Sequence, residues 1–206
     1  MLKYKLRLDL KLKLGFVTLF RIERISNGEL GGYIEKESNL SQEGSAWVYG
    51  EARVYGSAQV SGSAQVYGSA WVYGSAQVSG SAQVYGSAWV YGSARVYGSA
   101  RVYGSAQVYG EARVYGSAQV YGSAWVYGSA RIENIEEIVN FVIAMSFSIT
   151  ITPDNIAIGC QLKTRKEWFK VTKKQAIEMG LKSELYPHYK QLLKTGMAMV
   201  PARKGK

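Results

Sequence analysis

Gly44-Ser45-Ala46-Trp47-Val48-Tyr49-Gly50-Glu51-Ala52-Arg53-Val54-Tyr55-Gly56-Ser57-Ala58-Gln59-Val60-Ser61 opens a run in which Gly-Ser-Ala-x-Val-Tyr recurs, with few departures, as far as Glu133. A fixed short period of this kind marks a repeat architecture and has to be read before any other pattern. Ala58 and Val60 lie two residues apart, so in an extended chain they point to one face and Gln59 points to the other. The glycine that opens each hexad permits a sharp turn, and the serine beside it can bond locally at the bend. Each hexad is therefore one short strand and one corner. Three such sides close a triangular coil of eighteen residues, and the fifteen hexads predict five coils stacked about 4.8 Å apart in a mainly β, parallel β-helix. Three valines per coil bury too little apolar surface to offset the ordering of its backbone, so no coil stands alone. The open ends of the stack must be capped.

Working outward, residues 1–43 form an N-terminal strand and cap, 44–133 the repeat, and 134–206 an α+β cap with a basic tail. Leu2, Tyr4, Leu6, Leu8, Leu10, Leu12 and Leu14 alternate with Lys3, Lys5, Arg7, Asp9, Lys11 and Lys13, the pattern of a half-buried strand whose lysines discourage stray pairing. Ile34 and Leu40 are already six apart, so the winding can start there, and the eight residues from Leu40 to Val48 imply an insertion at a corner. Beyond the repeat, Asn134 to Met145 is compatible with helix or strand. Phe147–Thr152 and Ile156–Gln161 flank a Pro153-Asp154-Asn155 turn and predict a hairpin. Thr164-x-x-Glu167 and Thr172-x-x-Gln175 are capping boxes that open short helices, the second ending at Gly180, and a last helix is predicted over Ser183–Thr195 with Pro187 in its first turn.

The segment Leu30-Gly31-Gly32-Tyr33-Ile34-Glu35-Lys36-Glu37-Ser38-Asn39-Leu40, running on through Ser41 to Gly50, resembles the opening of small hexapeptide-repeat proteins carried by phages and prophages. Ile158-Gly159-Cys160 followed by Glu167-Trp168 resembles their closing segment. The resemblance implies a left-handed parallel β-helix and a phage setting. The hand comes from it alone, because parallel crossovers are ordinarily right-handed. It brings no established activity.

The related acyltransferases use a histidine projecting from the coils as general base. Here the coils hold no His, Cys or Asp, and the one histidine, His188, stands in the tail. We therefore expect no enzyme, with an acyltransferase-like activity as the alternative. Cys160 reads as a buried structural thiol, and a single Cys allows no intramolecular disulfide. One His and one Cys far apart make no recognisable metal site, so no metal or cofactor is expected. The absence of threonine from the coils excludes an ice-binding face built of threonine ranks.

The outward residues sort by side. The first side reads Trp47, Gln65, Gln83, Arg101, Gln119; the second Arg53, Trp71, Trp89, Gln107, Trp125; the third Gln59, Gln77, Arg95, Arg113, Arg131. Aromatic ladders made by duplication can simply stabilise a strand stack. Exposed Trp, Tyr and Arg also dominate binding hot spots, which marks Trp71, Trp89, Trp125, Arg95, Arg113 and Arg131 as candidates for partner contact, in a homo-oligomer or with a host protein. The net charge of +10 favours acidic partners, and residues 134–206 carry +6 of it. Nucleic acid would be sought first at Lys163, Arg165, Lys166, Lys170, Lys173 and Lys174, although such runs are commonly solvated helix faces. Met1–Leu14 lacks the apolar stretch of a signal peptide and no membrane-spanning run occurs, so a cytoplasmic protein with no membrane partner is expected.

Overall fold

The computed structural model describes residues 2–134, 139–142, 148–158 and 161–202. The chain opens with three antiparallel strands, β1 (Tyr4–Leu14), β2 (Val17–Arg24) and β3 (Leu30–Ile34). Fifteen two-residue strands follow, from β4 (Trp47–Val48) to β18 (Arg131–Ile132), one per hexad. They sort into three parallel sheets with every third strand adjacent, so the outward columns are those read from the sequence. The repeat is a parallel β-solenoid. Its winding starts at β3, because Ile34 pairs with Val54 and Leu40 bridges to Val60. That start adds two sides ahead of the first hexad and gives nearly six turns where the hexads alone predict five. The eight-residue step from Leu40 to Val48 is the corner between them.

Every repeat alanine and valine is buried, with at most 2% exposure. At each corner the chain turns within four residues; the Ala58 N–H, for example, donates to the Tyr55 carbonyl at 3.4 Å. Gly56 takes φ +69°, a left-handed value that other residues adopt at a cost, and a Cβ there would stand 3.1 Å from the Gly74 carbonyl oxygen of the next coil. Glycine is required for both reasons.

The hydrogen bonds give the stack a direction. Arg53 N–H donates to Ala70 O (2.9 Å), Gln59 N–H to Ala76 O (2.9 Å) and Tyr67 N–H to Val84 O (3.0 Å), each from one coil to the following one. The carbonyls of the first coil and the N–H groups of the last thus have no further coil to pair with, in the same way that a helix has orphan groups of opposite kind at its two ends. Donors meet the carbonyl end. Tyr33 and Glu35 N–H groups bond Ala52 O and Val54 O; the Asn39 Nδ2 group donates to Gly56 O (3.1 Å) and Ala58 O (2.8 Å); and Lys3 Nζ reaches Ala46 O (2.9 Å). Burial first, and the Arg24 charge second, lower the pKa of the Lys3 ammonium. Tyr4 is buried in the same cap, donates to Leu40 O at 2.7 Å, and packs edge-on against Trp47.

β2 shows no simple alternation in sequence; it becomes a strand by pairing between β1 and β3. In β1 the predicted alternation breaks. A register shift between Arg7 and Lys11 bulges Leu8, Asp9 and Leu10, and Leu8 is left 66% exposed.

After the solenoid, β19 (Val139–Val142), β20 (Ser148–Ile151), β21 (Asn155–Ile158) and β22 (Gln161–Thr164) form an antiparallel sheet, so the ambiguous segment after Asn134 contains a strand. The hairpin about Pro153 forms, and both capping boxes open helices: α1 (Arg165–Lys170) from Thr164 and α2 (Lys173–Glu178) from Thr172. Gly180 follows the second at φ +95°. The last helix, α3 (Tyr186–Met199), carries Pro187 in its first turn and runs one turn further than predicted. Ile149, Ile151, Ile156, Trp168, Tyr189 and Leu193 make a second core, in which Trp168 Nε1–H donates to Ile156 O at 2.6 Å. This unit meets the last coil where Trp125 N–H donates to Thr150 Oγ1 (3.4 Å) and where Leu162 occupies the space above Gly128. The reading of Cys160 as a buried thiol, and Phe147 and Gly159, lie outside the described residues.

Candidate functional site

The x residues of the hexads lie on the flat sides of the solenoid and the tyrosines at its corners, most of them at least partly exposed and Trp47 and Tyr127 buried. Because every coil repeats the last, side chains of one kind stack in register. Tyr55, Tyr73, Tyr91, Tyr109 and Tyr127 form one continuous ladder, with ring centroids 4.8–5.0 Å apart. Tyr67, Tyr85, Tyr103 and Tyr121 form a second, at 4.7–5.4 Å. Burial, and then the neighbouring phenols Tyr91 and Tyr55, push the Tyr73 hydroxyl up to about 12; Tyr55, Tyr67, Tyr91 and Tyr103 are raised in the same direction, with burial the largest cause in each.

On the second side Trp71 and Trp89 stack at 5.3 Å, with Tyr55 and Tyr73 edge-on to them. The Arg53 guanidinium lies 4.8 Å from the Trp71 ring centre. Trp71 is half-buried and Trp89 is 38% exposed. Trp125 is half-buried and shares the column, but Gln107 separates it from the stacked pair. Stacking turns these ring faces on each other and leaves mainly edges and hydroxyls to the outside.

Trp47, assigned by position to the outer column of the first side, is fully buried. The N-terminal strands fold over the first coil there, with Tyr4 against the indole edge and the Arg24 guanidinium 4.1 Å from its ring centre. It is part of the cap and offers no contact surface. A period-six reading cannot detect this, since Trp47 and Trp71 occupy the same place in the hexad.

The third side brings Arg95, Arg113 and Arg131 into one register. Arg95 is exposed and Arg113 half-buried, and among the described residues neither forms an ion pair. Like charges held one strand spacing apart repel, so the column is destabilising in itself.

Of the basic C-terminal cluster, Arg165 is not part of the surface. Arg165 is buried at 8% exposure and is spent on carbonyls: its Nη1 donates to Thr152 O (3.1 Å) and Val200 O (2.6 Å), and its Nη2 to Met197 O (2.8 Å). It tethers α3 to the hairpin. Lys163 is half-buried with its ammonium 5.8 Å from the Trp168 ring centre. Lys166, Lys170, Lys173 and Lys174 are exposed on α1 and α2. His188 is exposed in the first turn of α3, without a hydrogen-bond partner among the described residues.

Hollows open among the described residues of the C-terminal unit. One of 230 Å³ lies between Trp168, Ala176, Met179, Leu181 and Tyr189, and one of 710 Å³ between Phe169, Met197, Lys166 and Lys170. The second also carries Asp154 beside Arg165, and a further hollow of 410 Å³ sets Glu167 and Glu178 among Lys163 and Lys170. No described helix is long and apolar enough to cross a membrane.

These features define a β-solenoid repeat protein. A family described as "YdcK Beta solenoid repeat" matches residues 46–62, 64–80, 82–98, 94–110 and 106–122; the first three matches start eighteen residues apart, which is one coil. The matches lie within the solenoid and leave both caps outside. No curated protein matches the chain.

Proposed function

We propose that the protein is a non-enzymatic binding scaffold of the kind phages encode, acting in the host cytoplasm as a homo-oligomer and holding an acidic surface of a host protein against its outer columns. The observation that carries this reading is the arginine column of the third side: Arg95 and Arg113 stand in register, and among the described residues no acid pairs with them. Charges kept unpaired at a cost to the fold are accounted for by a partner that supplies the counter-charge. Trp89 and Trp71 on the adjoining side add the apolar contact that such an interface needs at its centre. The stacked rings favour protein over nucleic acid, because reading bases by stacking requires free ring faces. The coils hold no histidine, cysteine or aspartate to serve as a general base, which supports binding without catalysis.

The test combines light scattering of the purified chain, with absorbance at 260 and 280 nm, and capture from host lysate by the wild type and by the double variant Arg95→Glu/Arg113→Glu. A discrete oligomer free of nucleic acid, and a protein held by the wild type and released by the double variant, is the expected result. Equal capture by both removes the third side from the reading. Co-eluting nucleic acid that salt dissociates would favour a second reading, supported by the exposed Lys166, Lys170, Lys173 and Lys174.

A further inference from the structure

The sheet on the second side of the solenoid runs through β3 and β2 and ends on β1, whose far edge pairs with no strand among the described residues. Edge strands are ordinarily short, covered or broken; β1 is 11 residues long. Near its start the outward N–H and C=O of Tyr4 are taken up by the Gln42 side chain, at 3.3 and 3.2 Å, and in the bulge the Asp9 carboxylate accepts from the Asp9 and Leu10 N–H groups; from Lys11 to Leu14 no such cover is seen among the described residues.

The last paired residue between β2 and β3 is Phe20, opposite Ile34, so the outer end of the β1–β2 hairpin is only two strands wide. A two-stranded ribbon is marginal in water unless something packs on it. Leu10, Leu12 and Leu14 stay half-exposed, and Phe16 at the tip is fully exposed.

The charges on the ribbon are divided. Lys5 and Arg7 are neutralised by Glu23, and Arg7 also by Asp9. Lys11 and Lys13 form no ion pair among the described residues. A second copy fits this edge badly. Antiparallel pairing of β1 with itself keeps leucine beside leucine only in registers that also set at least one lysine or arginine opposite another, Asp9 being the strand's one acid, and a shift by one residue sets lysine among leucines.

We infer that the free edge of β1 is a strand-addition site for an extended segment of another protein in which acidic and apolar residues alternate. The segment's backbone completes the edge, its acidic side chains face Lys11 and Lys13, and its apolar side chains cover Leu10, Leu12 and Leu14. The site is separate from the arginine column and does not depend on it.

The full chain is titrated against fluorescein-labelled eleven-residue peptides alternating Glu with Val or Lys with Val, read by anisotropy. Saturable binding of the Glu peptide, at least about tenfold tighter than the Lys peptide and weakened by salt, is expected. Methylating the peptide nitrogens of either the Glu set or the Val set blocks one edge of the strand. One set should abolish binding and the other should spare it. Lys11→Glu/Lys13→Glu should reverse the preference, with near-ultraviolet circular dichroism checking that the fold is kept. Equal affinity for both peptides, no binding, or indifference to both methylation patterns overturns the proposal. So does a dimer of the wild type that Lys11→Glu/Lys13→Glu alone alters, which would make a second copy the occupant.

Discussion

At the scale of the residue, two glycines of one sequence position differ in what surrounds them. Gly80 has φ +65° and a Cβ there would come within 2.9 Å of the Gly98 backbone nitrogen; Gly122 has φ +63° and open space. Gly122→Ala should cost only the left-handed backbone, about 1–2 kcal/mol, whereas Gly80→Ala adds a clash that the stacked coils must open to relieve. Thermal melts of the two variants check the order. Asn39 is the other decisive residue. Asn39→Ala leaves the Gly56 and Ala58 carbonyls without their donor and should cost about 1–3 kcal/mol. Asn39→Asp should cost more above the carboxylate pKa, because it sets an anion against those carbonyls, and should recover toward the Ala value in acid. Melts at pH 7 and pH 4 separate the two.

At the scale of the element, the tyrosine ladders predict how stability responds to alkali. A phenol raised in the folded chain is favoured there in its neutral form. Its contribution is complete below the ordinary tyrosine value of 10.0 and is lost as pH rises toward about 12, the value for Tyr73. The melting temperature should therefore fall steadily across that window, and absorbance at 295 nm should show a set of phenols, those of Tyr55, Tyr67, Tyr73, Tyr91 and Tyr103, ionising later than free tyrosine. If the ladder ionised with free tyrosine, burial between the stacked rings would not be governing it. The tryptophan stack belongs to the same scale: Trp89→Ala removes one stacked and one edge-on contact, about 0.5–1.5 kcal/mol each beyond the area lost.

At the scale of the molecule, the direction of the coil-to-coil hydrogen bonds governs assembly. A chain lacking residues 1–43 exposes carbonyls, and one lacking 134–206 exposes N–H groups. Neither end pairs with its own kind. The two truncated chains should associate one to one when mixed, whereas residues 44–133 alone, open at both ends, should grow head to tail into filaments. Light scattering and electron microscopy of the three preparations check this, and filaments from either single truncation would contradict it.

The repeat was legible because its reasons are local: two small or branched residues two apart and a glycine every sixth residue state the strand, the core and the corner without help from distant sequence. The columns followed from that period, as did the capping boxes at Thr164 and Thr172, whose bonds close within three residues. What the sequence by itself determined is therefore the parallel solenoid, its three sides and the residues that share them. Only the tertiary structure decided which members of a column are available. Trp47 is buried by strands that return from forty residues away, Arg165 by carbonyls more than thirty residues on, and Leu8 is exposed by a bulge that depends on pairing with β2. Burial of that kind depends on which chain segments meet, and a periodic sequence gives identical residues identical local surroundings; their difference arises at the ends of the stack, where the period stops.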